Sequence, residues 1–181
     1  PLIVRTSFWK MVDFNARLAD TPRELEELFA PMVEAGVDLF DCSQRRFWEP
    51  CFEGSDLNLA GWVKKVTGVP SCTIGSIGLD SDFFTNLADG KQSETDTRNL
   101  DELMRRLDRG DFDLIAVGRA MIAEPHWANH VRDGAFDKLK SYDLWKDRAQ
   151  RADARAVRAA EEAGRGKAGG EREGLVRGAI G

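Results

Sequence analysis

The chain is poor in several reactive residue types, and each shortage narrows what it can be. Its 181 residues include three cysteines, two histidines and one tyrosine. Cys42, Cys51 and Cys72 form an odd, sparse set, which fits a reducing cytosol better than a disulfide framework. His126 and His130 stand four apart on one helix face, but no third ligand lies near them in sequence, so no metal site is expected. No apolar run approaches the roughly 18 residues of a membrane span, and no secretory signal opens the chain. The formal charge is −5, a poor match for nucleic acid or anionic lipid. The expectation is a cytoplasmic protein with neither nucleic acid nor membrane as partner.

What remains is ordinary globular material: 42% hydrophobic and 31% charged. A chain of this length buries roughly 70% of its unfolded surface and needs no staples. It starts at Pro1 and runs at once into apolar Leu2-Ile3-Val4, so an upstream portion is expected to be missing.

Strands and helices alternate. Leu2 to Val4, ending at Arg5-Thr6-Ser7, reads as a buried strand. Asp20 or Thr21 caps a helix with Pro22 in its first turn, and Leu25, Leu28, Phe29, Met32 and Val33 recur at helical spacing up to Gly36. Val37 to Cys42 reads as a second strand, followed by a long loop from Ser43 to Gly54. Ser55 or Asp56 caps a second helix that Gly68 and Pro70 end. Ser71 to Gly75 reads as a third strand, and Ser76 to Asp96 as a connection. Leu100, Leu103, Met104 and Leu107 mark a helix ended by Gly110. Asp113 to Gly118 reads as a fourth strand, and Glu124 to about Arg132 as a fourth helix.

Four such units predict an α/β fold with a parallel sheet. Strands starting near residues 2, 37, 71 and 113 have the spacing of a (β/α)8 barrel, a fold of typically ~250 residues. The expected fold class is therefore the C-terminal half of a TIM (β/α)8 barrel, about four βα units, over residues 1–146. Residues 147–181 are Arg-, Ala- and Gly-rich, with few apolar side chains to dock them, and read as a frayed helix followed by disorder.

In parallel α/β sheets, chemistry sits at the C-terminal strand ends. Gly75-Ser76-Ile77-Gly78 and Gly118-Arg119 are two such turns. Glycine-rich turns expose backbone N–H groups to a phosphate, and Arg119 adds a charge-assisted donor. The plainer alternative is that these glycines only make tight turns. Arg5, at the end of the first strand, is either a cation for a bound ring or a solvated arginine. Trp9 and Trp48 either stack on a ligand or pack, with packing preferred. Cys42 and Cys72 read as small buried apolar residues, and Cys51 as a loop thiol with no base beside it.

Several phrases together resemble one family. Arg5-Thr6-Ser7-Phe8-Trp9-Lys10, Cys42-Ser43-Gln44-Arg45-Arg46-Phe47-Trp48-Glu49-Pro50, Phe52 to Trp62 and Val117-Gly118-Arg119-Ala120 resemble the C-terminal half of the Old Yellow Enzyme family of FMN-dependent NADH:flavin oxidoreductases and ene-reductases. The resemblance covers about residues 1–145. It implies an FMN cofactor, NADH or NADPH as reductant and an enone-type substrate. It implies that Arg5 faces the flavin, and that Gly75, Ser76, Gly118 and Arg119 hold the FMN phosphate. It also implies that Arg46 and Trp48 lie near substrate.

The chain departs from the family in places. The family's substrate-orienting histidine or asparagine pair and its tyrosine donor belong to the N-terminal half, so no catalytic residue is assigned here. Tyr142 lies after the fourth helix and is a poor donor. Asp41 stands where this branch carries histidine. Three readings follow: an FMN oxidoreductase, a non-catalytic or partner-dependent half-barrel whose partner is the missing half or another chain, and a phosphate-binding half-barrel of a non-flavin enzyme.

Overall fold

The structure is a computed structural model that describes residues 1–10, 13–82 and 92–143, together with Asp153, Arg155, Ala156 and Arg158. The chain divides into two units, 1–142 and 143–181. The strands and helices named below all belong to the first. Asp153, Arg155, Ala156 and Arg158 are helical; the rest of the expected frayed helix and disordered stretch lies outside the described residues.

The elements run β1 (Ile3–Ser7), β2 (Trp9–Lys10), β3 (Asp13–Arg17), α1 (Pro22–Glu34), β4 (Leu39–Ser43), α2 (Leu59–Thr67), β5 (Ser71–Ile74), α3 (Arg98–Arg109), β6 (Leu114–Ile115), α4 (Arg119–Ala123) and α5 (Trp127–Arg132), then a 3-10 turn at Phe136–Lys138. A four-stranded sheet has the order β1-β4-β5-β6, parallel throughout. The chain is thus a mixed α/β protein with a parallel sheet. An antiparallel pair of β2 and β3 occupies a stretch that the apolar pattern leaves unassigned.

Local chemistry explains the boundaries. The Thr21 hydroxyl accepts from the Glu24 N–H at 3.2 Å, and Glu24 reaches back to the Asp20 N–H at 2.9 Å. One orphan donor of α1, the Glu24 N–H, and the Asp20 N–H just before the cap are met in this way. Asn58, not Ser55 or Asp56, caps α2, accepting from the Gly61 N–H at 2.9 Å. Ser55 instead closes a turn by accepting from Leu57 N–H at 3.2 Å. Gly110 ends α3 at φ 82, a left-handed cap that favours glycine. The fourth helix, expected over Glu124 to about Arg132, is α5 and starts at Trp127; α4 precedes it, at Arg119–Ala123, where a strand-end turn was expected.

The sheet has two unlike faces, because in-register neighbours share a face and successive side chains alternate. Phe40, Cys42, Ser71 and Thr73 are buried on the face that meets the helices, where Phe29 packs edge-on against Phe40 at 4.9 Å. Ring burial of this kind contributes about 1.5–3 kcal/mol per side chain. The opposite face carries Ile3, Arg5, Leu39, Asp41, Cys72 and Leu114. Ile3 is 55% and Leu114 52% exposed. β1, expected to be buried, has no buried residue, because it is an edge strand and that face is largely uncovered.

Candidate functional site

The C-terminal ends of β1, β4, β5 and β6 surround a cavity of about 360 Å3. Its lining includes Arg5, Gly75, Ser76, Gly118 and Arg119, so the structure brings together all five residues expected to hold a cofactor. The same ends add Lys10, Arg45 and Asp82, which the strand-end reading did not single out as ligands. Their signal was faint, since each sits in a connection with no helical or strand periodicity.

Backbone geometry makes the first turn. Gly75 passes so close to the loop after β4 that a Cβ there would stand 2.5 Å from the Gln44 carbonyl oxygen. Ser76 follows with φ 48, a left-handed conformation that is uncommon for a non-glycine residue. The Ser76 hydroxyl, 3.1 Å from the Arg45 carbonyl and 3.2 Å from the Ser81 carbonyl, holds the turn in place. Among the described residues, the backbone N–H groups of Ser76, Ile77, Gly118 and Arg119 meet no acceptor. Donors that meet no acceptor among the described residues, on residues that line one cavity, are the makings of an anion site.

Arg119 joins the two turns. Its guanidinium donates to the Ser93 hydroxyl at 2.7 Å, the Ser76 hydroxyl at 3.2 Å and the Ser81 carbonyl at 2.9 Å. Among the described residues it forms no ion pair with a carboxylate. Burial pushes its pKa down, while the charges of Asp82, Tyr142 and Asp80 act the other way. Ser93 is itself fixed by a backbone bridge to Tyr142, with N–H to carbonyl distances of 2.8 and 2.9 Å. A half-buried cation with no carboxylate partner among the described residues is poised for an incoming anion.

Arg5 is in a different state. It sits in register with Asp41 and its guanidinium lies 3.3 Å from that carboxylate. The other Asp41 oxygen is buried and meets no hydrogen-bond partner. Arg5 is thus a cation already half-answered, and its side chain is 61% exposed. Exposure of this kind limits what such a pair contributes.

Arg46 and Trp48 lie outside the cavity lining. Arg46 is clasped by Glu49 at 3.1 Å and Asp82 at 3.3 Å. Trp48 packs edge-on against Phe47 at 5.1 Å. Trp9 does line the cavity and meets Phe8 edge-on at 5.6 Å.

The remaining reactive types are spent on structure. All three cysteines are free and buried. Cys51 lies in a loop but is buried, and burial pushes it up to about 12, with Arg17 acting the other way. Burial likewise raises Cys42 and Cys72, and thiols so raised are poor nucleophiles. His126 and His130 face each other at 6.3 Å, with His130 Nε2 3.8 Å from Glu124. Among the described residues no group of three or more metal-ligating side chains forms, and no helix is long and apolar enough to cross a membrane. No family model matches this chain.

Proposed function

We propose that the chain is the C-terminal half of a (β/α)8 barrel that holds FMN, in a cytoplasmic oxidoreductase of the Old Yellow type. The observation that carries this reading is Arg119. Among the described residues it is half-buried without a carboxylate partner, between two strand-end turns in which the N–H groups of Ser76, Ile77, Gly118 and Arg119 meet no acceptor. Those donors fit a phosphate group, which accepts several hydrogen bonds and favours an arginine fork.

Ser76, Ile77, Gly118 and Arg119 would hold the phosphate through their N–H groups, with the Arg119 guanidinium beside them. Arg5, facing the same cavity, would set positive charge against the flavin ring, softened by Asp41. When bound, the flavin supplies hydride transfer from NADH or NADPH to an activated alkene of the enone type. The residues that orient that substrate belong to the other half of the barrel. The half-barrel reading rests on the parallel order of the sheet, the helices on one face and the uncovered opposite face.

The test is the visible absorption spectrum of the purified chain after incubation with FMN and desalting. A retained flavin band is expected. A colourless chain that also fails to take FMN when co-expressed with an N-terminal half-barrel would overturn the reading. A second reading, a partner-dependent half-barrel without catalysis of its own, is favoured by the exposure of Ile3 and Leu114 on the two edge strands. In that case FMN is retained only in the two-part complex.

A further inference from the structure

Arg119 is held by two segments. Its Nη2 donates to the Ser76 hydroxyl at 3.2 Å and to the Ser81 carbonyl at 2.9 Å, in the turn after β5, while its Nη1 donates to the Ser93 hydroxyl at 2.7 Å. All three acceptors are neutral, so they fix the guanidinium without cancelling its charge. Ser93 is 1% exposed and sits on the middle one of three short stretches. On one flank the Asp80 N–H donates to the Glu94 carbonyl at 3.0 Å and the Asp96 N–H to the Gly78 carbonyl at 3.1 Å. On the other flank Ser93 and the buried Tyr142 exchange both backbone bonds, and the Thr95 N–H donates to the Ser141 hydroxyl at 3.2 Å. That hydroxyl in turn donates to Glu94 Oε2 at 2.6 Å.

We infer that Ser93 is a positioning residue for the anion site: its hydroxyl, held in place by the backbone bridge to Tyr142, aims the Arg119 guanidinium at the bound anion. The physical reason is the geometry of the fork. Two nitrogens anchored to two segments fix the plane of the guanidinium, whereas one anchored alone leaves the plane to swing. Arginine has much rotamer freedom, and a fork ordered in advance loses less of it when the anion arrives. Ser93 lies outside the cavity lining, so it acts through Arg119 and not by touching the ligand.

This inference rests on the anion-site reading of Arg119. The test is calorimetric titration of the full chain with inorganic phosphate, run as a double-mutant cycle. Ser93→Ala is expected to weaken phosphate binding about tenfold. In Arg119→Lys, which keeps a charge for phosphate but not the planar fork, adding Ser93→Ala is expected to change the affinity by less than about twofold. A loss of equal size in both backgrounds marks a purely structural serine and overturns the inference. If Ser93→Ala does not fold, Ser93→Cys takes its place in the same cycle, because sulfur fills the position but accepts hydrogen bonds weakly. A chain that loses phosphate with Arg119→Ala but keeps it with Ser93→Ala overturns this inference alone. A wild-type chain that binds no phosphate, or binds it equally well after Arg119→Ala, overturns the anion site itself, and this inference with it.

Discussion

The Arg119 guanidinium reaches the Ser76 hydroxyl at 3.2 Å, so one side chain ties the turn after β6 to the turn after β5. Arg119→Ala removes the fork from the proposed phosphate site. Hydrogen bonds to charged groups contribute about 1.5–3 kcal/mol, which is about ten- to a hundredfold in Kd. FMN titration followed by flavin fluorescence is expected to show that loss. An unchanged affinity would place the anion elsewhere.

Gly75→Ala tests the close approach beneath the same turn. The new Cβ meets the Gln44 carbonyl oxygen at 2.5 Å and the Phe47 nitrogen at 3.0 Å. Both are backbone atoms, so neither can swing aside. Strain of this kind costs about 1–3 kcal/mol or more. Gly36→Ala is the control: its Cβ enters open space at φ +86, and only the left-handed backbone cost of about 1–2 kcal/mol applies. Denaturant melts should rank the two clearly, and equal losses would contradict the geometry.

Asn58 links the cap of α2 to the core. Its amide donates to the Phe47 carbonyl at 2.9 Å and to the Thr73 hydroxyl at 3.0 Å, and its oxygen accepts from the Gly61 N–H. The residue is 1% exposed. Asn58→Ala leaves buried partners unmet, each at about 1–3 kcal/mol, and removes a cap worth about 1 kcal/mol. A stability loss of about 2–4 kcal/mol is expected, larger than that of Ser55→Ala, whose hydroxyl only closes an open turn.

The alternation of apolar runs made the βα order legible, since period and punctuation are local properties. The helix ends at Thr21 and Gly110 could be read for the same reason. The β2 and β3 pair was not legible, because Trp9–Lys10 and Asp13–Arg17 carry no apolar run of the kind that marks the sheet strands. The cap of α2 was misplaced because Ser55, Asp56 and Asn58 are all good caps, and only Asn58 reaches both Phe47 and Thr73 across the fold. The cavity turns were visible as glycine at strand ends. Asp82 and Lys10 were not, because nothing along the chain links them to Arg45 or Arg119. The phrase from Arg45 to Trp62 serves largely as framework: Arg106, on α3, donates to the Asp56 carbonyl at 2.7 Å and to the Trp48 carbonyl at 3.4 Å.

The same helix predicts acid sensitivity. Hydrogen bonds from Arg105 and then Arg106 hold the Glu102 carboxyl at about 2, against the raising effect of burial. Its folded value is depressed, so the stability it contributes is fully present above the ordinary value of 4.5. That contribution is lost as pH falls from there through about 2. Urea midpoints measured across this window should fall for the wild type and fall less for Glu102→Gln. Parallel curves would mean that solvent screening cancels the pairing.

The uncovered sheet face makes the last prediction. Ile3 on β1 and Leu114 on β6 are 55% and 52% exposed, and these strands end the sheet on either side. Open parallel edges carry unpaired backbone groups beside apolar side chains, which invites pairing between chains. The isolated chain is therefore expected to self-associate with rising concentration in light scattering. Ile3→Lys with Leu114→Lys should suppress that association without lowering the melting midpoint, because neither side chain is part of the buried core. Co-expression with an N-terminal half-barrel should suppress it too, and should protect the β1 amides from hydrogen exchange. A wild-type chain that stays monomeric at high concentration would show that the face is satisfied without a partner, and the half-barrel reading would lose its physical motive.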